Sequence, residues 1–288
     1  MTPDVASLAA RDERVRRIVI AAAKGGGGLL GVGTALAGAA IGVLAIQARL
    51  ARRAIGTRRS AAPYVDGRYP PPGGQPPHGT SLRLVVLGDS GAAGLGADHR
   101  DTTPGGVIAA GLAAASGRTV SLTSVAVIGA RSADLAAQVD RILPLRPHVA
   151  VIMIGANDVT HLVRPQESVR LLVATVRRLR DSGTEVVVGT CPDLGTVRPI
   201  ATPLRQMARR MSRELAAAQY IGVRDNGGRP VALAELLGHR FDDEPDMFFS
   251  ADRFHPSVTG YAACADELLP EVLAALGLER DTPALPSS

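Results

Sequence analysis

The chain has 288 residues, of which 46% are hydrophobic, 20% charged and 3% aromatic. This length and apolar content exclude an intrinsically disordered chain, and the presence of only two cysteines excludes a disulfide-rich scaffold. The net charge of +5 is uneven, because residues 1–80 hold 11 basic and 4 acidic residues while residues 81–288 hold 21 and 23. A basic segment before a nearly neutral, aromatic-poor domain favours a membrane surface over a nucleic acid as partner.

The first 47 residues have the pattern of a membrane-targeting segment. A basic stretch, residues 1–28, precedes an uncharged apolar run at residues 29–46, LLGVGTALAGAAIGVLAI. A helix of this length spans about 27 Å, just enough to cross the hydrocarbon core of a bilayer. We predict a transmembrane or signal-anchor helix over residues 29–47, with a cleaved export signal and a buried soluble helix as alternatives. Basic residues flank the run equally on both sides, so its orientation stays open.

Residues 48–80 are basic at first and then rich in proline and glycine, as in YPPPGGQPPHG. Proline removes backbone donors and glycine removes conformational restraint, so the composition predicts a linker. This linker separates the predicted anchor from a domain over residues 81–280, and residues 281–288 form a C-terminal tail.

From Leu82 onward, short β-branched runs alternate with longer helical patterns. The predicted strands cover residues 83–88, 119–129, 148–155 and 184–191, with a weaker one at 220–226. The predicted helices cover residues 103–116, 132–142, 166–181 and 203–219, and a last helix begins near Ser257. Continuous apolar strands that alternate with helices predict a parallel sheet covered on both faces. Functional groups of such sheets gather at the carboxyl ends of the strands.

Three predicted strands end in residues that suit acyl transfer. The first ends in the tripeptide Gly88-Asp89-Ser90, and a serine at a strand-to-helix turn can present its hydroxyl above the sheet edge. The second leads to Gly129, which is either a plain turn residue or a source of a backbone N–H for an oxyanion. The third leads to Asn157, whose side chain either caps a helix or donates to an oxyanion.

The sequence near the C-terminus contains a carboxylate three residues before a histidine, in Asp252-Arg253-Phe254-His255-Pro256. On a loop that leads into a helix, Asp252 can accept the Nδ1–H of His255. That bond leaves Nε2 free to act as a base. The alternative is a surface ion pair, which is common and contributes little to stability.

Together these motifs resemble the SGNH hydrolases, also called the GDSL esterase/lipase family. The matching stretches are VVLGDSGAAGLG (85–96), VIGARSADL (127–135), VIMIGANDV (151–159) and DRFHPSVTGY (252–261). The resemblance covers residues 83–275 and is closest to actinobacterial membrane-attached or exported members. It implies an α/β fold: a flavodoxin-like three-layer α/β/α sandwich with a parallel sheet of about five strands. In one departure, many members carry Asn five residues before the second-block glycine, where this chain has Ser124.

The resemblance also implies roles for individual residues. Ser90 matches the family nucleophile, His255 the base and Asp252 its partner. Gly129 and Asn157, with the Ser90 amide, match the oxyanion hole. The resemblance implies no metal and no cofactor.

The expected protein is a serine esterase that hydrolyses short-chain acyl or acetyl esters through an acyl-enzyme. Its expected partners are a small-molecule acyl ester and, through the N-terminal helix, a membrane, with no nucleic acid. We expect it to be membrane-anchored with an extracytoplasmic catalytic domain, or else secreted. An acyltransferase with a sugar or lipid acceptor is the alternative enzyme, and a non-catalytic binding module of the same fold is the non-enzyme alternative.

The two cysteines, Cys191 and Cys264, are far apart in the sequence. An exported domain would allow a disulfide between them. Because unpaired cysteine is among the most buried residue types, we expect two separate buried thiols instead.

Overall fold

The computed structural model describes residues 61–74 and 79–278, together with five isolated helical positions at 42, 46, 47, 49 and 50. The basic segment 1–28, most of the predicted anchor 29–47 and the tail 281–288 lie outside the described residues. Among the residues that are described, no helix combines the length and apolarity needed to span a bilayer.

Strands and helices alternate along most of the described chain. The strands are β1 (Gly67–Tyr69), β2 (Leu82–Gly88), β3 (Val120–Ser124), β4 (Val149–Met153), β5 (Glu185–Gly189) and β6 (Arg229–Val231). The α-helices are α1 (Pro104–Ser116), α2 (Leu135–Ile142), α3 (Ala156–Thr160), α4 (Pro165–Asp181), α5 (Leu204–Arg224), α6 (Leu233–Asp243), α7 (Pro245–Phe248) and α8 (Val258–Ala275).

The six strands form one sheet in the order β1-β3-β2-β4-β5-β6. Strands β2 to β6 are parallel, and only β1 at the edge runs antiparallel, against β3. Numbered among themselves, the five parallel strands run 2-1-3-4-5, which is the order of flavodoxin-like sheets. The prediction of an α/β fold with a mostly parallel sheet is confirmed.

Helices cover both faces of the sheet, and successive residues of β2 enter opposite cores. Leu84 and Val86 pack on the face that holds α1 and α8. Val85 and Leu87 pack on the face that holds α2 and α4, and α5 lies beside α4. Strands β2, β4 and β5 read as nearly continuous apolar runs because both of their faces are buried.

The predicted strand at residues 220–226 is wrong. This stretch continues α5 as far as Arg224, and the sixth strand is Arg229–Val231. Its β-branched residues resemble a strand locally, but the buried positions follow the helical period. Those positions are Ser212, Leu215, Ala216, Gln219 and Val223.

The ordered sheet also begins earlier in the chain than the predicted domain boundary at residue 81. Residues 67–69 pair with β3, and Val65 and Tyr69 are buried. The Arg100 guanidinium lies 4.2 Å from the centre of the Tyr69 ring, and the Asp66 carboxylate accepts a hydrogen bond from the Ser124 amide. This part of the predicted linker is therefore packed against the sheet. A strand of three residues among prolines has no sequence pattern that would reveal it.

Candidate active site

The sheet brings three of the predicted site residues to one edge. Strand β2 lies between β3 and β4. At the end of β2, the Asp89 amide donates a hydrogen bond to the Met153 carbonyl, and the Gly88 carbonyl accepts a hydrogen bond from the Val127 amide. The loops that follow these neighbouring strands carry Ser90, Gly129 and Asn157, so the three lie around the same point at the carboxyl edge.

The loop before α8 brings a fourth group to this point. His255 Nε2 lies 3.0 Å from Ser90 Oγ, although the two residues are 165 positions apart in the sequence. His255 Nδ1 lies 2.8 Å from Asp252 Oδ2. Both distances are within the reach required for proton transfer and for orientation of the ring. The structure thus places Ser90, His255 and Asp252 in one hydrogen-bonded chain.

The Asp252 carboxylate is held by several donors. Its Oδ1 accepts from the hydroxyl of Ser250 and from the amides of Phe254 and His255, each at 2.9 Å. Burial alone would raise the pKa of Asp252, but hydrogen bonds from His255, Phe254 and Ser250 outweigh it and lower that pKa. Asp252 is therefore a fixed anion beside the imidazole, with its orientation set by Oδ1.

Gly129 and Asn157 lie on the loops that follow β3 and β4, next to the loop of Ser90. Gly129 is exposed and adopts φ = 83°, and an added Cβ would meet no atom within 4 Å. Backbone conformation, rather than space, therefore favours glycine at this position. The Asn157 side-chain amide lies 3.5 Å from Asp89 Oδ2, a long hydrogen bond that directs Nδ2 toward the loop of Ser90.

Asp89, the residue before Ser90, is a buried carboxylate. Burial, and then the charge of nearby Asp158, raises its pKa from 3.8 to about 7, although the amide of Gly91 partly opposes this. Close to neutral pH, Asp89 therefore changes between a carboxylate, which can only accept the hydrogen bond from Asn157, and a neutral acid, which can also donate one.

Gln138 of α2 is a buried residue that sequence reasoning missed. Its side chain accepts from the Gly88 amide at 2.8 Å and donates to the Gly88 carbonyl at 2.9 Å. Gly88 itself has φ = 133°, and a Cβ there would lie 1.9 Å from the Met153 carbonyl oxygen. Gln138 therefore fixes the end of β2 two residues before Ser90. Its only sequence signal is a polar residue on the apolar face of a helix.

Gln219 of α5 holds the ends of β4 and β5 in the way that Gln138 holds the end of β2. It accepts from the Cys191 amide and donates to the Ile154 carbonyl, which links the ends of β4 and β5. A Cβ on Gly155 would lie 2.8 Å from the Cys191 Cβ. This close approach fixes the start of the loop that holds Asn157.

A third buried network fixes the loop of Gly129. The Asp158 carboxylate accepts from the amide and the hydroxyl of Ser132, and that hydroxyl also contacts Ser168 of α4. Asp158 directly follows Asn157, so one residue connects the two loops beside Ser90. A buried carboxylate that lacked these donors would be strongly destabilising.

Neither cysteine thiol belongs to the hydrogen-bonded chain of Ser90, His255 and Asp252. Cys191 and Cys264 are both free and buried, which confirms the prediction of separate thiols. Burial raises the pKa of Cys264 to about 12, so this thiol is a poor nucleophile. Within residues 61–74 and 79–278, no group of three or more His, Cys, Asp or Glu side chains is arranged to hold a metal ion.

The profile of a family described as GDSL-like Lipase/Acylhydrolase matches residues 86–263, more than half of the chain. A GDSL-like esterase of Mycobacterium tuberculosis is 42% identical over 275 residues, covering 93% of this chain and 87% of that protein.

Two solved structures resemble the fold. An alpha/beta hydrolase from the metagenome of Lake Arreo, Spain, has a TM-score of 0.54 at 22% identity, covering 70% of this chain and 98% of its own. An acetylxylan esterase from Geobacillus stearothermophilus has a TM-score of 0.51 at 19% identity, covering 70% of this chain and 98% of its own. At such identities these structures support the fold alone.

Proposed function

The chain belongs to the GDSL-like lipase/acylhydrolase family, the SGNH hydrolases, and hydrolyses ester bonds; we propose that it does so through an acyl-enzyme on Ser90. The observation that carries this proposal is the hydrogen-bonded chain from Ser90 Oγ to His255 and on to Asp252, with distances of 3.0 and 2.8 Å. This arrangement has the geometry of an activated serine nucleophile.

The proposed reaction has two halves. His255 Nε2 takes the proton of Ser90 as Oγ attacks the ester carbonyl carbon, and the resulting imidazolium is stabilised by Asp252. As the C–O bond to the alcohol breaks, His255 returns the proton to the leaving oxygen. Water, deprotonated by the same nitrogen, then attacks the acyl-enzyme, and Ser90 is released with its proton restored.

The tetrahedral oxyanion of each half needs donors on the opposite side from His255. We assign this role to the amides of Ser90 and Gly129 and to the side chain of Asn157. The assignment is supported by their position on the loops after β2, β3 and β4, and by the buried contacts of Gln138 and Asp158 that hold those loops. Donors that are fixed before reaction stabilise developing charge without reorganisation.

We propose acetyl or similarly short acyl esters as the substrates. The dependence of turnover on acyl length tests this choice, because a long acyl chain needs an apolar cavity that opens beside the nucleophile.

We further propose that the protein is attached to a membrane through the apolar run at residues 29–46, with the hydrolase domain outside the cytoplasm. The length of the uncharged run supports the attachment. A secreted protein remains the alternative.

The test is hydrolysis of p-nitrophenyl esters of increasing acyl length by the full chain, beside a Ser90→Ala variant and a matched control. Ser212→Ala is the control, because Ser212 is also buried but contacts Leu194 rather than His255. We expect turnover of short esters and labelling by a fluorophosphonate in the parent and in Ser212→Ala, and neither in Ser90→Ala. A folded parent without turnover or labelling would overturn the proposal, as would a Ser90→Ala variant that keeps both.

A further inference from the structure

Exposed apolar side chains occur on three segments that adjoin Gly129, Asn157 and His255 along the chain. We call Val127, Ile128, Leu162, Met247 and Val258 the apolar rim, and all five are exposed. Val127 and Ile128 directly precede Gly129, and Leu162 lies two residues after the end of the short helix α3 that carries Asn157. Met247 and Val258 flank the loop of His255, where the Met247 carbonyl accepts from the Ser257 hydroxyl.

Single exposed apolar residues are normal on a protein surface, but a cluster around a site marks an interaction surface. Leu162 is 68% exposed and has φ = 55°, a conformation that a leucine rarely adopts. Three separate segments next to candidate site residues therefore hold large apolar side chains in water. Neither the packing of the core nor the proposed chemistry at Ser90 accounts for them.

A second observation concerns the end of the apolar run in the N-terminal segment. Gln47, which directly follows this run, donates to the Thr202 carbonyl at 2.6 Å and accepts from the Leu204 amide at 3.1 Å. Its neighbours Ile46 and Leu50 are also exposed. The end of an uncharged stretch of bilayer-spanning length is thus bound at the start of α5.

The start of α5 lies on the active-site side of the sheet. Helix α5 connects β5 to the parallel strand β6, so it runs back against the strand direction. Gln219 sits at the level of the strand ends, where it contacts Ile154 and Cys191. Leu204 lies 15 residues, or about 22 Å of helix, before that point and therefore beyond the carboxyl edge.

We propose that the face around Ser90 lies against the surface of a phospholipid bilayer, with the apolar rim in contact with the interface. The substrates would then be molecules whose ester groups lie at that surface. The proposal rests on the proposed function for naming this face the active site and for the membrane attachment of residues 29–46. Exposed apolar side chains bind an interface by burying area among headgroups and upper acyl chains.

The charges around the rim indicate which lipid to use as a probe. Arg164 and Arg253 are exposed near the rim, but so are Glu244 and Asp246 beside Met247. With both signs present, the contact depends on apolar burial rather than on attraction to anionic lipid. Vesicles of the zwitterionic lipid phosphatidylcholine are therefore the appropriate probe.

The experiment places an environment-sensitive fluorophore on single introduced cysteines in the full chain. Ile128→Cys, Leu162→Cys and Met247→Cys report on the rim. The matched controls are Ile221→Cys and Leu236→Cys, because Ile221 is 53% exposed against 52% for Ile128 but lies on α5 away from the rim. The native Cys191 and Cys264 are buried and leave the introduced thiol as the reactive one.

With phosphatidylcholine vesicles, we expect the emission of the rim labels to shift to shorter wavelength and that of the control labels to stay unchanged. Equal shifts at both sets, a shift at the controls alone, or no shift at the rim would each overturn the proposal. So would a chain that does not sediment with the vesicles. Hydrolysis of soluble p-nitrophenyl acetate is measured separately: activity without a rim shift rejects only the orientation, and a rim shift without activity rejects only the chemistry at Ser90.

Discussion

Replacing Asp252 by asparagine tests how the candidate site orients its base. Three donors converge on Asp252 Oδ1, namely the Ser250 hydroxyl and the amides of Phe254 and His255. An asparagine must place its oxygen there, because an NH₂ group cannot accept these bonds. Its NH₂ group then occupies the position of Oδ2 and faces His255 Nδ1, which lies 2.8 Å from Oδ2 in the parent.

The consequence is a change of histidine tautomer. Nδ1 must accept from the new NH₂ group, so the proton of the neutral ring moves to Nε2. That nitrogen can no longer take the proton of Ser90. A wrong tautomer of this kind lowers kcat by about 10⁴-fold, which corresponds to about 5 kcal/mol of transition-state stabilisation. We expect a loss of that order for Asp252→Asn, with the fold intact.

The assay is kcat for p-nitrophenyl acetate, with circular dichroism to show that the variant is folded. Asp193→Asn is the matched control, because the Asp193 side chain is just as buried but accepts from Arg213 and Gly195 rather than from a histidine. This control should lose stability while kcat changes only a few-fold. If folded Asp252→Asn keeps its kcat within tenfold of the parent, the role assigned to Asp252 is wrong.

Two further predictions concern the opposite side of the site. Asn157→Ala should lower kcat about 10²–10³-fold without unfolding the chain, and unchanged ester turnover would remove Asn157 from the oxyanion hole. Relative to the parent, the Asp89→Asn variant should become more stable as pH rises. The pKa of Asp89 is about 7 in the folded chain against a reference value of 3.8. Between these two values the folded chain therefore keeps a proton on Asp89 that the unfolded chain has lost. The parent therefore becomes less stable between about pH 4 and pH 7, by about 2–3 kcal/mol from pH 5 to pH 8, whereas asparagine does not titrate. Urea unfolding at both pH values measures the difference, and a constant gap between parent and variant would contradict the raised pKa.

Most of the fold was readable from local patterns. Strands β2, β4 and β5 are largely apolar on both faces, and helices of ordinary length separate the successive strands, so a mostly parallel sheet was predictable. The secondary-structure prediction was wrong where the local sequence pattern and the tertiary packing favour different structures. The end of α5 carries β-branched residues, yet its buried face follows the helical period against α4. The short edge strand β1 depends on Tyr69 packing under Arg100, a contact that no local pattern encodes.

The residues proposed for chemistry were also predicted from sequence, since Ser90, Gly129 and Asn157 end neighbouring strands and His255 follows Asp252 at a fixed spacing. The residues that position them were not. Gln138 and Gln219 look like ordinary polar helix residues, and their bonds to Gly88 and Cys191 exist only because the helices pack over the strand ends.

The amino-acid order thus determined most of the secondary structure, the mostly parallel sheet and the proposed reactive groups, because each depends on periodicity or on short spacing along the chain. Tertiary structure alone decided the 3.0 Å approach of His255 to Ser90 and the raised pKa of Asp89. These properties arise from burial and from contacts between residues far apart in sequence. They exist only once the chain has packed around both faces of the sheet.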